Sequence, residues 1–125
     1  VGALRRRYEE DTGTVGPLIG SLGALTRTAI AALNDGDAPA LGAAMNRAHA
    51  VLAELGLSLP ILDDLTEAAR SAGALGAKLT GGGLGGCVIA LVTGESATRR
   101  VRAALEQAGA PETWSYRMRI SEVDE

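Results

Sequence analysis

Aromatic side chains and cysteine are scarce in this sequence. Its 125 residues include no Phe, one Trp, two Tyr and a single Cys, against 17 Gly. One cysteine cannot form an internal disulfide, which favours a cytoplasmic location. Without aromatic bulk the core must be built from small side chains, so we expect backbone segments to pack closely against one another.

The chain also lacks a concentration of charge of one sign. Its net charge is −3, and acidic residues at 9–11 follow the basic cluster Arg5–Arg7 almost at once. We therefore expect no binding face for nucleic acid. No apolar run reaches membrane-spanning length, and no charged segment leads into an apolar one at the start, so we expect neither a membrane span nor a signal peptide. The length fits one compact domain over residues 1–125.

Apolar residues recur every three or four positions in four segments, which indicates amphipathic helices. Turn or capping residues bound these segments: Gly16 to Asn34, Asp37 to Gly56, Ser58 to Gly73, and Gly94 to Gly109. A break is expected at Thr12–Thr14, with the exposed end of another helix before it.

Three strands are predicted. Ala77–Thr80 reads as a short strand, and the unbroken apolar run Cys87–Val92 indicates a fully buried one. Residues Trp114–Ile120 alternate apolar and polar side chains, which indicates a strand with one wet face. We therefore expect an α+β fold, with helices packed on a small antiparallel sheet.

The glycine-rich loop Gly81–Gly86 is the best candidate for chemistry, because its backbone N–H groups can close around an anion. Gly81, Gly83 and Gly86 fit the dinucleotide fingerprint G-x-G-x-x-G, but that motif requires a helix after the turn and here a strand follows. No Gly-Lys-Ser/Thr sequence closes the loop, so it is not a P-loop either. The pattern instead indicates a loop that joins neighbouring strands at the rim of a sheet.

The residues from Gly73 to Leu91 closely resemble the third conserved motif of the GHMP kinases. Within that family the likeness is greatest to the mevalonate kinases, whose usual form is G-A-L-G-A-K-L-T-G-A-G-G-G-G-C, and Gly82 and Leu84 depart from it. Further family-like stretches lie upstream: Leu41–Gly42, Met45–Asn46, Leu52, Leu55–Ser58 and Leu62–Asp63. The resemblance covers nearly the whole chain and is weakest over residues 1–16.

This resemblance implies the α+β C-terminal domain of a GHMP kinase. The sheet of that domain usually includes a strand from before the matched region, so we expect an incomplete sheet with an unprotected edge. The complete enzyme would use ATP and Mg²⁺ to phosphorylate the primary hydroxyl of mevalonate, with the glycine-rich loop beside the phosphate loop of an N-terminal domain. The phosphate cradle, the magnesium ligand and the catalytic Asp and Lys belong to that N-terminal domain, which no segment here matches. We therefore expect no catalytic residue and no metal site in this chain, and no activity from the chain alone.

The resemblance places the phosphate or substrate contacts on backbone N–H groups of the loop: Gly81, Gly82, Gly83, Leu84, Gly85 and Gly86. Thr80, at the start of the loop, is expected to offer its hydroxyl to a phosphate or to the substrate carboxylate, or to cap its own turn. Lys78 shares a strand face with Thr80 and is an accessory candidate, although a solvated lysine is the commoner outcome.

Other chemically able side chains are interpreted as structural. His49 stands at the edge of an apolar stripe without a second His or an arranged carboxylate, so we expect a helix-surface or interface histidine. Cys87 is expected to pack in its strand. Asp63 and Asp64 are helical neighbours that face different directions, which argues against an acid pair. Arg117, with Arg119, is expected on a solvated strand face.

Two alternatives stay open. Phosphomevalonate kinase, or another GHMP kinase, is the nearest alternative substrate assignment. A non-catalytic regulatory or assembly module, which kept the fold and lost the kinase half, is the alternative of a different class. In each case the face that should meet an N-terminal domain would be uncovered, so we expect the chain to self-associate.

Overall fold

The computed structural model describes residues 6, 9–10, 12–80 and 86–118. Residues 6, 9 and 10 are helical. The elements that follow within the described ranges are α1 (Thr12–Asp35), α2 (Ala38–Glu54), α3 (Pro60–Ser71), β1 (Gly76–Thr80), β2 (Cys87–Leu91) and α4 (Glu95–Gln107). The predicted α+β architecture is confirmed, and the four predicted helices are all present.

Helix α1 begins earlier than the sequence indicated. The predicted break at Thr12–Thr14 is wrong, because these residues form the first turn of the helix. Val15 is completely buried, and its burial outweighs the weak helix propensity of the Thr and Gly residues beside it. The predicted end is correct: Gly36 adopts a φ of 69°, and the N–H of Asp37 bonds the carbonyl of Ala32 at 2.9 Å.

The segment Gly13–Asp35 of α1 is long and apolar enough to cross a membrane by length and composition alone, and 11% of its most apolar window is buried. The expectation that no run reaches membrane-spanning length is therefore too strict. This finding is weak evidence for a span, since core helices and signal sequences pass the same test. Helix α1 also packs along α2, as an amphipathic helix of a globular domain does.

The residues that begin and end α2 agree with the prediction, and the residue that begins α3 differs from it. The Asp37 carboxylate caps α2 by accepting a hydrogen bond from the N–H of Ala40 at 3.1 Å. Helix α3 has Leu59 at its N-cap position and no side-chain cap. Ser58, which the sequence suggested as the opening residue, instead directs its hydroxyl to the carboxylate of Asp63.

The strands β1 and β2 form an antiparallel pair whose register runs from Gly76 opposite Leu91 to Thr80 opposite Cys87. Helices α2 and α3 both pack against β1. The prediction of a fully buried second strand is wrong, because Cys87 and Ile89 of β2 are exposed. Cys87 is therefore not a packed side chain. Among the described residues no third strand adjoins β2.

The described core contains no aromatic side chain, but it is not built of small side chains alone: of its eleven buried hydrophobic residues six are Ala or Val and five are Leu. One buried cluster consists of Ala69, Ala77 and Val101, which join α3, β1 and α4. The partly buried residues packed against it are mostly alanine: Ala72, Ala74, Ala90, Val92 and Leu105. With so little side-chain bulk between them, the elements approach closely.

The predicted C-terminal strand is absent from residues 113–118, which have no regular secondary structure. The side chains of Trp114 and Tyr116 are 69% and 91% exposed. Arg102 of α4 donates to the hydroxyl and the carbonyl oxygen of Thr113, at 2.8 and 3.1 Å. Alternation produces a strand only through pairing with a sheet edge, and here Thr113 is bonded to helix α4 instead. Arg117 is solvent-exposed, as expected, and lies 3.9 Å from Glu95, while Arg119 and Ile120 lie outside the described residues.

Candidate functional site

The candidate site begins where β1 ends. Thr80 is the last residue of β1, is half-buried and pairs with Cys87. Gly81–Gly85 lie outside the described residues, so their predicted contacts with phosphate or substrate stay predictions. The chain resumes at Gly86 with a φ of 92°, and a Cβ there would lie 3.1 Å from the carbonyl oxygen of Thr80. The two ends of the loop therefore meet closely, in a conformation that favours glycine.

Helix α2 holds β1 in place through three residues on one face. Gly42, Asn46 and His49 are spaced four and three apart, which aligns them along one side of the helix. Seven helical residues rise about 10.5 Å, and the three steps of strand from Gly76 to Leu79 cover about 10 Å. The three helical residues can therefore contact successive parts of β1.

Gly42 makes the first contact, and it is backbone against backbone. A methyl group on Gly42 would overlap the carbonyl of Leu75, and one on Gly76 would overlap the carbonyl of Gly42. Only glycine at both positions permits this approach. The close backbone packing expected from composition is therefore found between α2 and β1.

Asn46 makes the second contact, with both ends of its amide. Its Nδ2 donates to the carbonyl of Leu75 at 3.3 Å, and its Oδ1 accepts from the N–H of Ala77 at 3.0 Å. The amide thus occupies backbone groups on the edge of β1 that a neighbouring strand would otherwise use.

His49 makes the third contact, nearest the glycine-rich loop. It is only 6% exposed, so of the two expected positions, on the helix surface or at an interface, the first is wrong, and the ring lies between α2, α3 and β1. Its Nδ1 accepts a hydrogen bond from the N–H of Leu79 at 3.1 Å, and its Nε2 lies 2.8 Å from Oδ1 of Asp63. An amide N–H can only donate, so Nδ1 must be unprotonated and Nε2 carries the proton that it donates to the carboxylate.

Asp63 completes this chain of contacts from α3. Its Oδ1 also accepts the hydroxyl proton of Ser58, at 2.7 Å. The hydrogen bond from Ser58, and then the one from His49, lower the pKa of the Asp63 carboxyl below its ordinary value. The group is therefore a carboxylate at neutral pH and accepts from both partners. The arranged carboxylate that the sequence did not reveal comes from a residue 14 positions away.

The ammonium group of Lys78 is held by a backbone carbonyl of its own strand. Its Nζ donates to the carbonyl of Leu79 at 2.7 Å, so the ammonium group lies against its own strand. Burial lowers the pKa of Lys78, because a partly desolvated ammonium is less stable than a hydrated one. Among the described residues no group of three His, Cys, Asp or Glu side chains could hold a metal ion.

Comparison with known proteins gives consistent results. Residues 29–111 match the family described as GHMP kinases C terminal. The chain is 43% identical over 114 residues to a mevalonate kinase of Pyrococcus abyssi, which covers 87% of this chain and 33% of that protein. A galactokinase of Streptomyces coelicolor is 40% identical over 84 residues, covering 64% of this chain and 22% of its own length.

A solved structure shows the same fold. The crystal structure of L. major mevalonate kinase in complex with R-mevalonate superposes with a TM-score of 0.82 at 27% sequence identity. The match covers 88% of this chain and 33% of that structure. The chain thus spans about a third of the length of these two mevalonate kinases and less of the galactokinase.

Proposed function

The chain belongs to the GHMP kinase family, and we propose that it serves as the C-terminal domain of a mevalonate kinase. That enzyme would transfer the γ-phosphoryl group of ATP to the primary hydroxyl of mevalonate. The observation that carries this proposal is the 43% identity to a mevalonate kinase over 87% of the chain. Coverage of that extent takes in the glycine-rich loop and both strands that flank it.

The loop Gly81–Gly86 is the part that we assign to phosphoryl transfer. Its backbone N–H groups would hold phosphate or substrate, and Thr80 would add its hydroxyl to a phosphate or to the substrate carboxylate. The fixed position of β1 supports this assignment, since Asn46 and His49 hold the strand up to the residue before Thr80. Lys78 is the weaker candidate because its ammonium group is bound to the carbonyl of Leu79.

ATP and Mg²⁺ require ligands from outside this region. Among the described residues no group of three or more His, Cys, Asp or Glu side chains could hold a metal ion, and the half-exposed carboxylate of Asp63 already accepts hydrogen bonds from Ser58 and His49. We therefore assign nucleotide and metal binding to an N-terminal domain, on the same polypeptide or on a separate subunit. On this proposal residues 1–125 form a single domain without a catalytic residue of their own, and the chain alone is inactive.

A two-protein assay tests the proposal. The 125-residue chain is assayed alone and as part of the complete protein, which includes the N-terminal domain on the same polypeptide or as a separate subunit; each sample is mixed with ATP, Mg²⁺ and mevalonate, and formation of phosphomevalonate is measured. We expect turnover from the complete protein and none from the chain alone. Turnover by the chain alone would overturn the assignment of nucleotide and metal binding to an N-terminal domain. A complete protein that leaves mevalonate unmodified would overturn the substrate assignment.

A different GHMP kinase substrate is the second candidate. The 40% identity to a galactokinase over 84 residues supports it, because this region of the fold is shared by kinases that act on different alcohols. Galactose and phosphomevalonate are therefore included as competing substrates in the same assay. A higher kcat/KM for either of them would replace mevalonate as the assigned substrate.

A further inference from the structure

We propose that His49 is a positioning residue, which fixes the backbone of Leu79 and thereby sets where the glycine-rich loop begins. The inference rests on the proposed function for the meaning of the loop, but its geometry stands on the described residues alone. His49 is buried on α2 and its ring touches both β1 and α3. It is therefore the side chain through which three elements meet next to the candidate site.

The direction of every hydrogen bond in the chain of contacts is determined. Ser58 donates its hydroxyl proton to Asp63, Asp63 as a carboxylate accepts the Nε2 proton of His49, and Nδ1 of His49 accepts from the Leu79 N–H. The Leu79 N–H can only donate and the Asp63 carboxylate can only accept, so the roles of both ring nitrogens of His49 are fixed. The Ser58 hydroxyl has a second, longer contact, 3.4 Å from the carbonyl oxygen of Leu59. The carboxylate thus selects the tautomer that exposes a lone pair to β1.

The placement of the contact matters for the loop. Gly42 and Asn46 hold the first half of β1, and neither of them reaches beyond Ala77. His49 bonds Leu79, so only one residue, Thr80, separates this anchor from Gly81. Without that bond the last two residues of β1 would depend on pairing with β2, whose residue Cys87 is exposed.

Two substitutions of His49 test the hydrogen bond of Nδ1 and the hydrogen bond of Nε2 separately. His49→Asn keeps an acceptor at the place of Nδ1 and loses the group that reaches Asp63. His49→Gln keeps a donor near the place of Nε2 and loses the acceptor for Leu79. Each variant loses one of the two contacts. If His49 only stabilised the fold, both variants would therefore lose similar amounts of activity.

The experiment measures kcat and KM for mevalonate and ATP in the complete protein, beside the free energy of unfolding. We expect His49→Gln to lower kcat by about tenfold to a hundredfold through misplacement of the loop, and His49→Asn to retain kcat within about threefold. Equal kcat losses in the two variants, in proportion to their loss of stability, would overturn the proposal.

A spectroscopic measurement tests the same inference without any substrate. The chain contains a single histidine, so its ¹⁵N ring signals in the NMR spectrum are unambiguous. We expect an unprotonated Nδ1 and a protonated Nε2 in wild type, with the amide signals of Leu79 and Thr80 shifted by His49→Gln and less affected by His49→Asn. A proton on Nδ1, or unaffected amides in both variants, would overturn the positioning role. Absence of mevalonate kinase activity in wild type would instead refute the proposed function and leave this measurement decisive for His49.

Discussion

The contact between Gly42 and β1 yields the sharpest prediction. In Gly42→Ala the new methyl group would overlap the carbonyl of Leu75, which is backbone and cannot rotate away. Helix α2 and strand β1 would have to separate. The hydrogen bonds that Asn46 and His49 make to β1 would lengthen with that movement, since all three residues lie on one face of α2.

Two opposing effects set the magnitude. Replacing glycine by alanine inside a helix favours folding by about 0.5–1 kcal/mol. Overpacking costs about 1–3 kcal/mol, and leaving a buried N–H such as that of Leu79 without its partner costs about 1–3 kcal/mol more. The costs exceed the gain, so we expect Gly42→Ala to lower the free energy of unfolding by about 1–5 kcal/mol.

Gly20→Ala is the matched control. Gly20 also lies inside a helix, α1, but a Cβ there meets nothing within 4 Å. Only the propensity effect remains, so this variant should gain about 0.5–1 kcal/mol. Urea unfolding followed by circular dichroism gives both values on the same protein. Stabilisation by Gly42→Ala, or shifts of the same sign in both variants, would refute the proposed close packing of α2 on β1.

Three further predictions concern the loop and its support. Gly86→Ala should cost about 1–3 kcal/mol, because an L-residue is strained at a φ of 92°, and hydrogen exchange at Cys87 and Val88 should rise; unchanged exchange would contradict it. Asp63→Asn should weaken the fall in the free energy of unfolding that accompanies a decrease in pH. The pKa of Asp63 is lowered in the folded state, so its contribution is present above the unfolded pKa of about 4 and is lost as the pH falls through the folded value; the urea midpoint measured against pH should show this, and the same pH dependence in wild type and Asp63→Asn would contradict it. Thr80→Val should lower kcat of the complete enzyme by about tenfold if the hydroxyl meets the transferring phosphate, while Thr80→Ser retains activity; equal activity in both would assign Thr80 to its turn.

Local chemistry made several elements predictable. The cap at Asp37, the Pro39 in the first turn of α2 and the glycines that follow the helices have steric or hydrogen-bonding reasons that act within a few residues. The composition also predicted a core of small side chains and close backbone contacts. The caps and turns are correct because neighbours in sequence determine them, and the close backbone contact is found at Gly42 and Gly76, whereas five buried leucines make the core bulkier than the composition suggested.

Contacts between distant residues could not be predicted in the same way. The position of His49 at the edge of an apolar stripe suggested exposure, yet its two partners are a carboxylate on α3 and a backbone N–H on β1. One signal was available: Gly42, Asn46 and His49 share a helix face, and a glycine inside a helix often has a packing reason. That face indicates that α2 touches another backbone, although it does not identify which one.

The two wrong strand predictions have a common physical origin. Asn46 and His49 occupy the N–H groups of Ala77 and Leu79 on one edge of β1, so the sheet can be extended only beyond β2. The apolar character of Cys87–Leu91 suits a strand with neighbours on both edges, whereas among the described residues it pairs with β1 alone. The alternation in residues 113–118 also needs a strand edge, and the free edge of β2 can accept one strand at a time. A single additional strand beside β2 would therefore account for both patterns, since it would cover β2 and offer its own outer edge to the C-terminal segment.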